Sequence, residues 1–295
     1  MPEHQDFLHQ VTTVARRHGV DAEHVKEVAG GVANRAFILG DDLFLRASRP
    51  GYEDDLRKET HVVPAARLVG VLTPEILEYD ETHRLLATPY VVMERIHGAE
   101  PTDAPTGLAE ELARLHQIQH SPEPTRAIPV VPEDDWGDPW RTVDDLATRG
   151  YVDPATASWL TGWFTRLAER FDDSGPKVLI HGDVAAHNLL AGPANELRAL
   201  IDWGDAAWAP RAMEFAKLPL TQVAKILPTY ADRSPETEAD LAAAILWFHL
   251  SWALAKLPAP PWPNQRHWTA PTTSRLLNIL HFFTTTPPPP WPDLT

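Results

Sequence analysis

One short stretch of the chain constrains its structure more than any other. The apolar residues 178–180 lead into the sequence His-Gly-Asp at residues 181–183, and Asn188 follows five residues after the aspartate. A second apolar run, residues 197–201, ends at Asp202. Such runs are typical of short buried strands, so the pattern predicts two strands that flank a loop and bring both aspartates and the asparagine together. Two carboxylates and an amide oxygen suit a magnesium-assisted reaction on a phosphate, with one carboxylate facing the nucleophile.

The sequence HGDVAAHN followed by IDWGDA resembles the HGDxxxxN and IDW motifs of the aminoglycoside phosphotransferase and choline-kinase-like family. Both are distantly similar to the catalytic-loop and metal-binding motifs of protein kinases. The resemblance covers roughly residues 27–220 and is to antibiotic phosphotransferases of the aminoglycoside or tuberactinomycin type. It implies an α+β, bilobal, protein-kinase-like fold, with a small β-rich N-lobe at residues 1–97 and a larger, mostly helical C-lobe at residues 98–295.

The resemblance also implies roles for the residues of the motif. Asp183 is expected to accept the proton of a substrate hydroxyl group, and Asn188 and Asp202 are expected to hold Mg²⁺ between the phosphates. His181 is expected to orient the loop through hydrogen bonds, because a neutral imidazole has one donor and one acceptor. The implied cofactors are ATP, with GTP left open, and Mg²⁺, and the oligomeric state is left open.

The N-terminal third has the features of a nucleotide-binding lobe. Gly30 and Gly31 lie in a turn between predicted strands, and backbone N–H groups of such a turn can approach phosphates closely because no Cβ intervenes. By the resemblance, Arg46 clamps the phosphates and Glu59, on the next helix, holds that cation in place. The other residues expected to contact the nucleotide are Asn34, Met93, Glu94, Ile96, Leu190 and Ile201.

An irregular, proline-rich and acidic segment, residues 121–145, is the candidate specificity element. Carboxylates beside indole rings suit a polycationic ligand through charge pairing and cation–π contact, although a solvated loop anchored by its tryptophans is an equal alternative. Asp205 and Glu214 are also expected to face the acceptor. Glu214 replaces the shorter acid usual in the family, which leaves open whether it supports the catalytic loop instead. The loop residues expected to contact the acceptor are Asp134, Asp135, Trp136 and Asp138.

Composition limits the partners of the chain. Its 295 residues include 26 Lys and Arg against 41 Asp and Glu, a net charge of −15, which repels nucleic acid and anionic lipid and attracts cations. No apolar run approaches the roughly 18 residues of a membrane span, and the first residues are too polar for a signal peptide. The lack of cysteine fits a reducing compartment. A cytoplasmic protein with no nucleic-acid or membrane partner is therefore expected.

Together these features predict an ATP- and Mg-dependent phosphotransferase that moves the γ-phosphate to a hydroxyl group of a small cationic antibiotic and so gives resistance. An aminoglycoside and a basic cyclic peptide both fit this acceptor. One alternative is a kinase for a small metabolite such as choline, a sugar or an amino alcohol, which would not need the acidic loop. A second alternative is a catalytically inactive kinase-like module that binds nucleotide without turnover.

Hydrophobic periodicity and turn residues predict the remaining elements. A proline inside the second helix, Pro64, is expected to kink or split it. The proline-rich residues 287–290 are expected to form a polyproline II segment, either as a cap or as a loose end. The predicted helices are residues 2–18, 52–68, 107–116, 153–171, 236–257 and 272–283, and strands are predicted at residues 71–77 and 84–87.

Overall fold

The computed structural model describes residues 2–28, 31–120, 128, 130–170, 175–261 and 267–295. It has a five-stranded antiparallel sheet in the N-terminal part and a mostly helical C-terminal part. The boundary predicted between residues 97 and 98 stays a prediction. Among the helices built from the described residues, none combines the length and the apolar character needed to cross a membrane.

The N-terminal sheet has the strand order β1-β2-β3-β5-β4. Its strands are β1 (Val25–Val28), β2 (Asn34–Leu39), β3 (Leu43–Ser48), β4 (Ile76–Asp80) and β5 (Tyr90–Glu94).

Successive side chains of these strands point to opposite faces of the sheet. On one face, apolar residues of β2, β3 and β5 pack against helix α1 (Pro2–Arg17). On the other, Val91 and Met93 pack against Leu56 of helix α2 (Glu53–Leu68). The sheet therefore holds α2 against the face that carries Arg46 and Met93, two of the candidate nucleotide residues.

Helix α2 runs through Pro64 without interruption, so the split expected as one of two outcomes does not occur. Pro64 lies on the exposed face of α2, whereas Val62, Val63 and Ala66 are buried. A backbone carbonyl that loses its helical donor on that side can be hydrated, so the proline is tolerated there.

The C-terminal part is built around one buried helix. Helix α7 (Glu238–Lys256) is buried on almost every side over residues 241–254, as its nearly all-apolar sequence requires. The other helices pack around it or extend its core: α3 (Leu108–Leu115), α4 (Pro139–Thr148), α5 (Pro154–Ala168), α6 (Leu220–Ala231) and α8 (Ser274–Thr284). Helices α4 and α6 were not predicted from the sequence.

Two short strand pairs lie where the sequence predicts strands around the catalytic motif. Strand β6 (Val178–Ile180) pairs with β9 (Ala207–Ala209), and β7 (Leu189–Ala191) pairs with β8 (Leu197–Leu200), all antiparallel. The HGD sequence therefore follows β6 directly, and Asp202 follows β8.

Two predicted strands and the predicted tail differ from the structure. Residues 71–75 precede β4 and are not part of it, and the backbone of Leu72 instead contacts Glu111 and Leu200 of the C-terminal part. Residues 84–87 form bends rather than a strand. The tail is neither loose nor regular polyproline II: it ends in a 3₁₀ turn whose Trp291 is fully buried, and Trp163 Nε1 donates to the carbonyl oxygen of Leu294 at 2.6 Å.

Candidate active site

A cavity of about 1440 Å³ lies between the N-terminal sheet and the helical part. It is lined by β2, β3, helix α2, the end of β5, the loop after β6 and residues near the ends of β7 and β8. The residues that the sequence singles out for base and metal chemistry, Asp183, Asn188 and Asp202, all lie on its wall together with Arg46. A volume of this size exceeds the roughly 300–1,000 Å³ of a typical small-molecule pocket, so it can hold two ligands.

The catalytic loop turns sharply at Gly182. This residue has φ of +79°, and a Cβ placed on it would lie 2.2 Å from the carbonyl oxygen of Asp205. No other residue type fits such a contact, because atoms at this distance overlap. The close approach brings the loop after β6 against the turn that follows Asp202.

His181 joins the two halves of the motif. Its Nδ1 accepts a hydrogen bond from the backbone N–H of Asp183 at 3.3 Å, so the ring proton sits on Nε2. Nε2 in turn donates to the carbonyl oxygen of Ile201 at 3.1 Å, and the fully buried ring packs on Trp203. These contacts agree with the orienting role that the resemblance implies for this histidine.

Glu214 is buried beneath the catalytic loop, which corrects the expectation that it contacts the acceptor. Its carboxylate accepts hydrogen bonds from the backbone N–H groups of His181 (2.7 Å) and Gly182 (3.0 Å), and His116 Nε2 lies 3.3 Å away. Burial alone would raise the pKa of Glu214, but the hydrogen bond and charge of His116, together with the backbone hydrogen bond from His181, outweigh it and lower the pKa. An ionised, fully enclosed carboxylate of this kind supports the loop and cannot reach a substrate.

Asp183 is surrounded by hydrogen-bond donors. Asn188 Nδ2 donates to its Oδ2 at 2.8 Å and Lys217 Nζ to its Oδ1 at 3.0 Å. His267 Nε2 and His187 Nε2 lie 3.4 and 3.7 Å from the carboxylate. Burial would raise the pKa of Asp183, but the two histidines and the lysine together hold it well below its ordinary value. The carboxylate is therefore ionised and held in one orientation.

The donor set of Asn188 and Asp202 fits a hard cation such as Mg²⁺. Asn188 uses its Nδ2 group for both the carbonyl oxygen and the carboxylate of Asp183, which leaves its Oδ1 for another partner. The Asp202 side chain is 44% exposed to the cavity, and the hydrogen bond from Ile201 N to the carbonyl oxygen of Asn188 keeps the two residues adjacent. The described residues contain no group of three or more His, Cys, Asp or Glu suited to a metal, so phosphate oxygens and water would complete the coordination.

Arg46 connects the sheet, helix α2 and Asp202. Its Nη1 donates to both carboxylate oxygens of Glu59, at 2.8 and 2.7 Å, and its Nη2 donates to Asp202 Oδ1 at 2.6 Å. Arg46 and Glu59 are both buried. The guanidinium fork can hold two carboxylates at once, which a lysine in the same place could not do with fixed geometry.

The other candidate nucleotide residues lie on the same cavity. Glu94 donates its backbone N–H to the carbonyl oxygen of Glu75 at 2.9 Å, so only its carbonyl oxygen is left for a base. Asn34 Oδ1 is buried and has no partner among the described residues. Gly30 lies outside the described residues. The candidate nucleotide residues that line the cavity are Gly31, Asn34, Arg46, Glu59, Met93, Glu94, Ile96, Leu190 and Ile201.

The candidate acceptor residues divide into two groups. Asp134, Asp135 and Asp205 line the cavity, and burial together with the charges of Asp205 and Asp135 raises the pKa of Asp134. Trp136 and Asp138 do not line it, which corrects their assignment.

Both corrected residues have structural contacts instead. Asp138 caps helix α4 by accepting from the backbone N–H groups of Trp140 and Arg141, at 2.9 and 3.1 Å. Trp136 packs edge-on against Phe248, with Lys177 Nζ 5.5 Å from its ring centroid. The loop is thus anchored by its tryptophan, as the alternative interpretation of this segment proposed, while two of its carboxylates face the cavity.

Three cationic or titratable residues near Asp183 were missed in the sequence: Lys217, His267 and Arg275. Lys217 Nζ also lies 3.4 Å from Asp205. The Nδ1 atom of His267 accepts from Thr269, so the ring proton is on Nε2, the nitrogen that lies 3.4 Å from Asp183. Arg275 donates to the carbonyl oxygen of Ala216. Lys217 follows Glu214 by three residues, which is a weak local signal. Nothing in the sequence pattern points to His267 or Arg275.

Comparisons with known proteins agree with this geometry. Residues 24–267 match the model of the APH family, described as the phosphotransferase enzyme family. No curated protein matches the chain.

Several solved structures share the fold. The GDP complex of a mutant aminoglycoside 2'-phosphotransferase-IIIa is 18% identical with a TM-score of 0.65, over 95% of this chain and 99% of that one. A macrolide 2'-phosphotransferase from Brachybacterium faecium is 18% identical with a TM-score of 0.59, over 85% and 91%. A choline/ethanolamine kinase family protein from Mesorhizobium loti is 17% identical with a TM-score of 0.57, over 92% and 90%. The predicted kinase-like fold is confirmed.

Proposed function

The chain belongs to the phosphotransferase enzyme family, and on this premise we propose that it transfers the γ-phosphate of ATP or GTP to a hydroxyl group of a small molecule with the help of Mg²⁺. The observation that carries the proposal is the convergence of Asp183, Asn188, Asp202 and Arg46 on one cavity between the sheet and the helical part. These residues supply a carboxylate for the nucleophile, oxygen ligands for a metal and a cation for phosphates, which are the parts that phosphoryl transfer requires.

The nucleotide would lie on the sheet side of the cavity. The carbonyl oxygen of Glu94 would accept a hydrogen bond from the base, and Met93, Leu190 and Ile201, which line the same cavity, would surround it. Asn188 and Asp202 would hold Mg²⁺, which when bound neutralises charge on the phosphates. Arg46, fixed by Glu59, would contact the phosphates from the other side.

Asp183 would hold the acceptor hydroxyl in line with the γ-phosphorus. A bond forms between the acceptor oxygen and that phosphorus, the bond from phosphorus to the oxygen bridging the β- and γ-phosphates breaks, and the hydroxyl proton passes to Asp183. Because its donors keep the pKa of Asp183 low, it takes the proton late and contributes mainly by positioning the nucleophile.

We place a cationic acceptor beside Asp134, Asp135 and Asp205. These three carboxylates line the cavity, and the net charge of −15 favours the approach of cations. The cavity volume supports an acceptor larger than choline. An aminoglycoside or a basic cyclic peptide fits these features, and its phosphorylation would give antibiotic resistance in the cytoplasm.

The first experiment measures Mg-dependent nucleoside diphosphate release from ATP and from GTP over a panel of hydroxyl acceptors. The panel contains aminoglycosides, basic cyclic peptides, macrolides, choline and sugars, and Asp183→Ala is the blank. Turnover confined to cationic antibiotics supports the proposal. Turnover on choline or a sugar alone would contradict the proposed cationic acceptor but would still support phosphoryl transfer. Nucleotide binding without turnover on any acceptor would favour an inactive binding module.

A charge series then tests the acceptor site. Asp134→Asn, Asp135→Asn and Asp205→Asn should raise the KM for a cationic acceptor and leave the KM for the nucleotide unchanged. Glu23→Gln, which removes an exposed charge far along the chain from these three carboxylates, is the matched control. Equal effects of all four changes would show that only the overall charge matters.

A further inference from the structure

Lys217 lies closer to the candidate base than any other lysine or arginine of the described residues. Its Nζ is 3.0 Å from Asp183 Oδ1 and 3.4 Å from Asp205 Oδ2. Asn188 occupies the other oxygen of the Asp183 carboxylate. Each carboxylate oxygen accepts more than one hydrogen bond, so an acceptor hydroxyl can bind Asp183 while Lys217 stays beside it.

The backbone of Lys217 is fixed by the same segment that supports the catalytic loop. It ends the 3₁₀ segment Arg211–Lys217, in which Glu214 holds the backbone N–H groups of the loop. Its own carbonyl oxygen accepts from Trp268 Nε1 at 2.6 Å, and the carbonyl oxygen of Ala216 accepts from Arg275. A lysine anchored on both sides keeps its ammonium group near Asp183 without help from a ligand.

Three other cations on the cavity wall, all arginines, are engaged elsewhere. Arg46 binds Glu59 and Asp202, on the side expected to hold the nucleotide. Arg275 binds the carbonyl oxygen of Ala216 and lies over the Trp252 ring, and Arg95 binds the carbonyl oxygen of Gly40. Of these four cations, Lys217 alone contacts the base.

Simple distances connect Lys217 to the reacting atoms. A hydroxyl oxygen bound to Asp183 lies about 2.6–3.2 Å from its carboxylate, and the phosphorus it attacks lies about 3–3.5 Å beyond that oxygen. In a loose transition state the charge spreads over the three equatorial oxygens of the transferred group. The flexible lysine side chain can move its ammonium group onto one of these oxygens without any movement of the backbone.

From this geometry we infer that Lys217 is a further catalytic residue, whose ammonium group binds the transferred phosphoryl group from the acceptor side during transfer. The inference rests on the proposed phosphotransferase function and adds to it a second cation, opposite Arg46 and the metal. Lys217 exchanges no proton in this role: it moves from the carboxylate of Asp183 to an oxygen of the transferred group as negative charge develops there, and returns when the product leaves.

The test compares binding of two nucleotide complexes to the purified chain. One is Mg–ADP, and the other is Mg–ADP with aluminium fluoride, which imitates the phosphoryl group in transfer. Lys217→Met removes the charge and keeps the length of the side chain, and Lys217→Arg keeps the charge. Lys58→Met is the matched control, because Lys58 lines the same cavity but its nearest acid, Asp55, is 4.0 Å away. Thermal melting checks that each variant folds.

We expect Lys217→Met to bind Mg–ADP like the wild type but to lose at least about tenfold in affinity for the fluoride complex, since a charge-assisted hydrogen bond is lost. Its kcat should fall roughly 100-fold with little change in KM, and Lys217→Arg should recover part of the loss. The same loss of affinity should appear when Asp183→Asn is the parent, because the contact is with the phosphoryl group and not only with the base.

Three results would overturn the inference. Equal affinity of Lys217→Met and the wild type for the fluoride complex would exclude the contact. If Lys217→Met lowers the affinity for the fluoride complex in the wild type but not in the Asp183→Asn parent, Lys217 only positions the base. Failure of the wild type to bind Mg–ADP at all would overturn the proposed function and the inference with it, and so differs from failure of the inference alone.

Discussion

Arg46 and Asp202 are joined by a hydrogen bond of 2.6 Å although they lie on β3 and after β8, far apart in the chain. The same guanidinium binds both oxygens of Glu59, so one side chain ties the sheet and helix α2 to a candidate metal ligand. The nucleotide phosphates and the metal must fit among these three charges. The first prediction tests this arrangement.

Arg46→Met should unfold the chain more easily and weaken nucleotide binding. It leaves the Glu59 carboxylate, whose side chain is 3% exposed, buried without its cation, which typically costs about 3–5 kcal/mol. The double variant Arg46→Met, Glu59→Met should recover most of the stability but not the nucleotide affinity. Chemical denaturation and nucleotide titration measure the two effects separately, and recovery of both would contradict a role in phosphate binding.

Glu214→Gln should inactivate the chain without altering any residue that contacts ligand. The amide presents a donor to at least one of the backbone N–H groups of His181 and Gly182, and an unpaired buried donor costs about 1–3 kcal/mol. We expect kcat to fall and the melting temperature to drop. Glu110→Gln, a surface change near Arg233, is the control and should leave both unchanged. A fully active Glu214→Gln variant would mean that the loop holds its shape without this carboxylate.

Gly182→Ala should abolish activity because its new methyl group would overlap the carbonyl oxygen of Asp205. Gly150→Ala is the matched control: its φ is +75°, close to that of Gly182, but a Cβ there meets no atom within 4 Å. The control should lose only about 1 kcal/mol from backbone strain. Turnover rates and denaturation curves are measured for both variants. Equal losses of activity and stability would show that glycine is required at residue 182 because of its positive φ and not because of the close contact.

Stability should fall with acid through the buried His249. Burial, the charge of Arg275 and a hydrogen bond to Phe215 together set the pKa of His249 at about 3 in the folded chain, against an ordinary value of 6.5. Between these values the unfolded chain binds a proton that the folded chain does not. Stability is therefore unaffected by His249 above about pH 6.5 and decreases as pH falls below it, by up to about 1.4 kcal/mol per pH unit.

His249→Gln keeps a donor for the carbonyl oxygen of Phe215 and removes the titration. Denaturation curves at about pH 7, 6 and 5 should show a smaller loss of stability in this variant than in the wild type, whereas the exposed substitution His9→Gln should change nothing. Parallel losses in all three proteins would assign the acid sensitivity to other groups.

The core of the site could be predicted because its residues are close in sequence or follow regular elements. Asp183 and Asn188 share one loop, and Asp202 follows a strand that pairs with the strand after Asn188. The pairing of Arg46 with Glu59 was implied by the family resemblance, which relates a strand to the helix that comes next in the chain. For the two aspartates and Asn188, the apolar runs and their spacing alone indicate that the side chains meet.

The remaining contacts depend on long-range packing. Lys217 lies 34 residues after Asp183, and its direction is set by the 3₁₀ segment that also turns Glu214 inward, away from any ligand. Asp138 was assigned to the acceptor because helix α4, which it caps, was not recognised. Asp134, by contrast, faces the cavity because its backbone N–H donates to the carbonyl oxygen of Trp208 on β9. The periodicity of the sequence gives no sign of this partner.

The contacts of Trp268 and Arg275 with residues 216–217 matter for the interpretation of truncated sequences from this family. A reading frame cut short after residue 261 would keep every motif from the glycine turn to Asp202. The protein would lack Trp268 and Arg275, which fix the backbone of residues 216–217, and His267, which lies beside Asp183. A survey of genomes by motif would count such a fragment as a working enzyme. We therefore expect a chain that lacks its last tenth to be inactive.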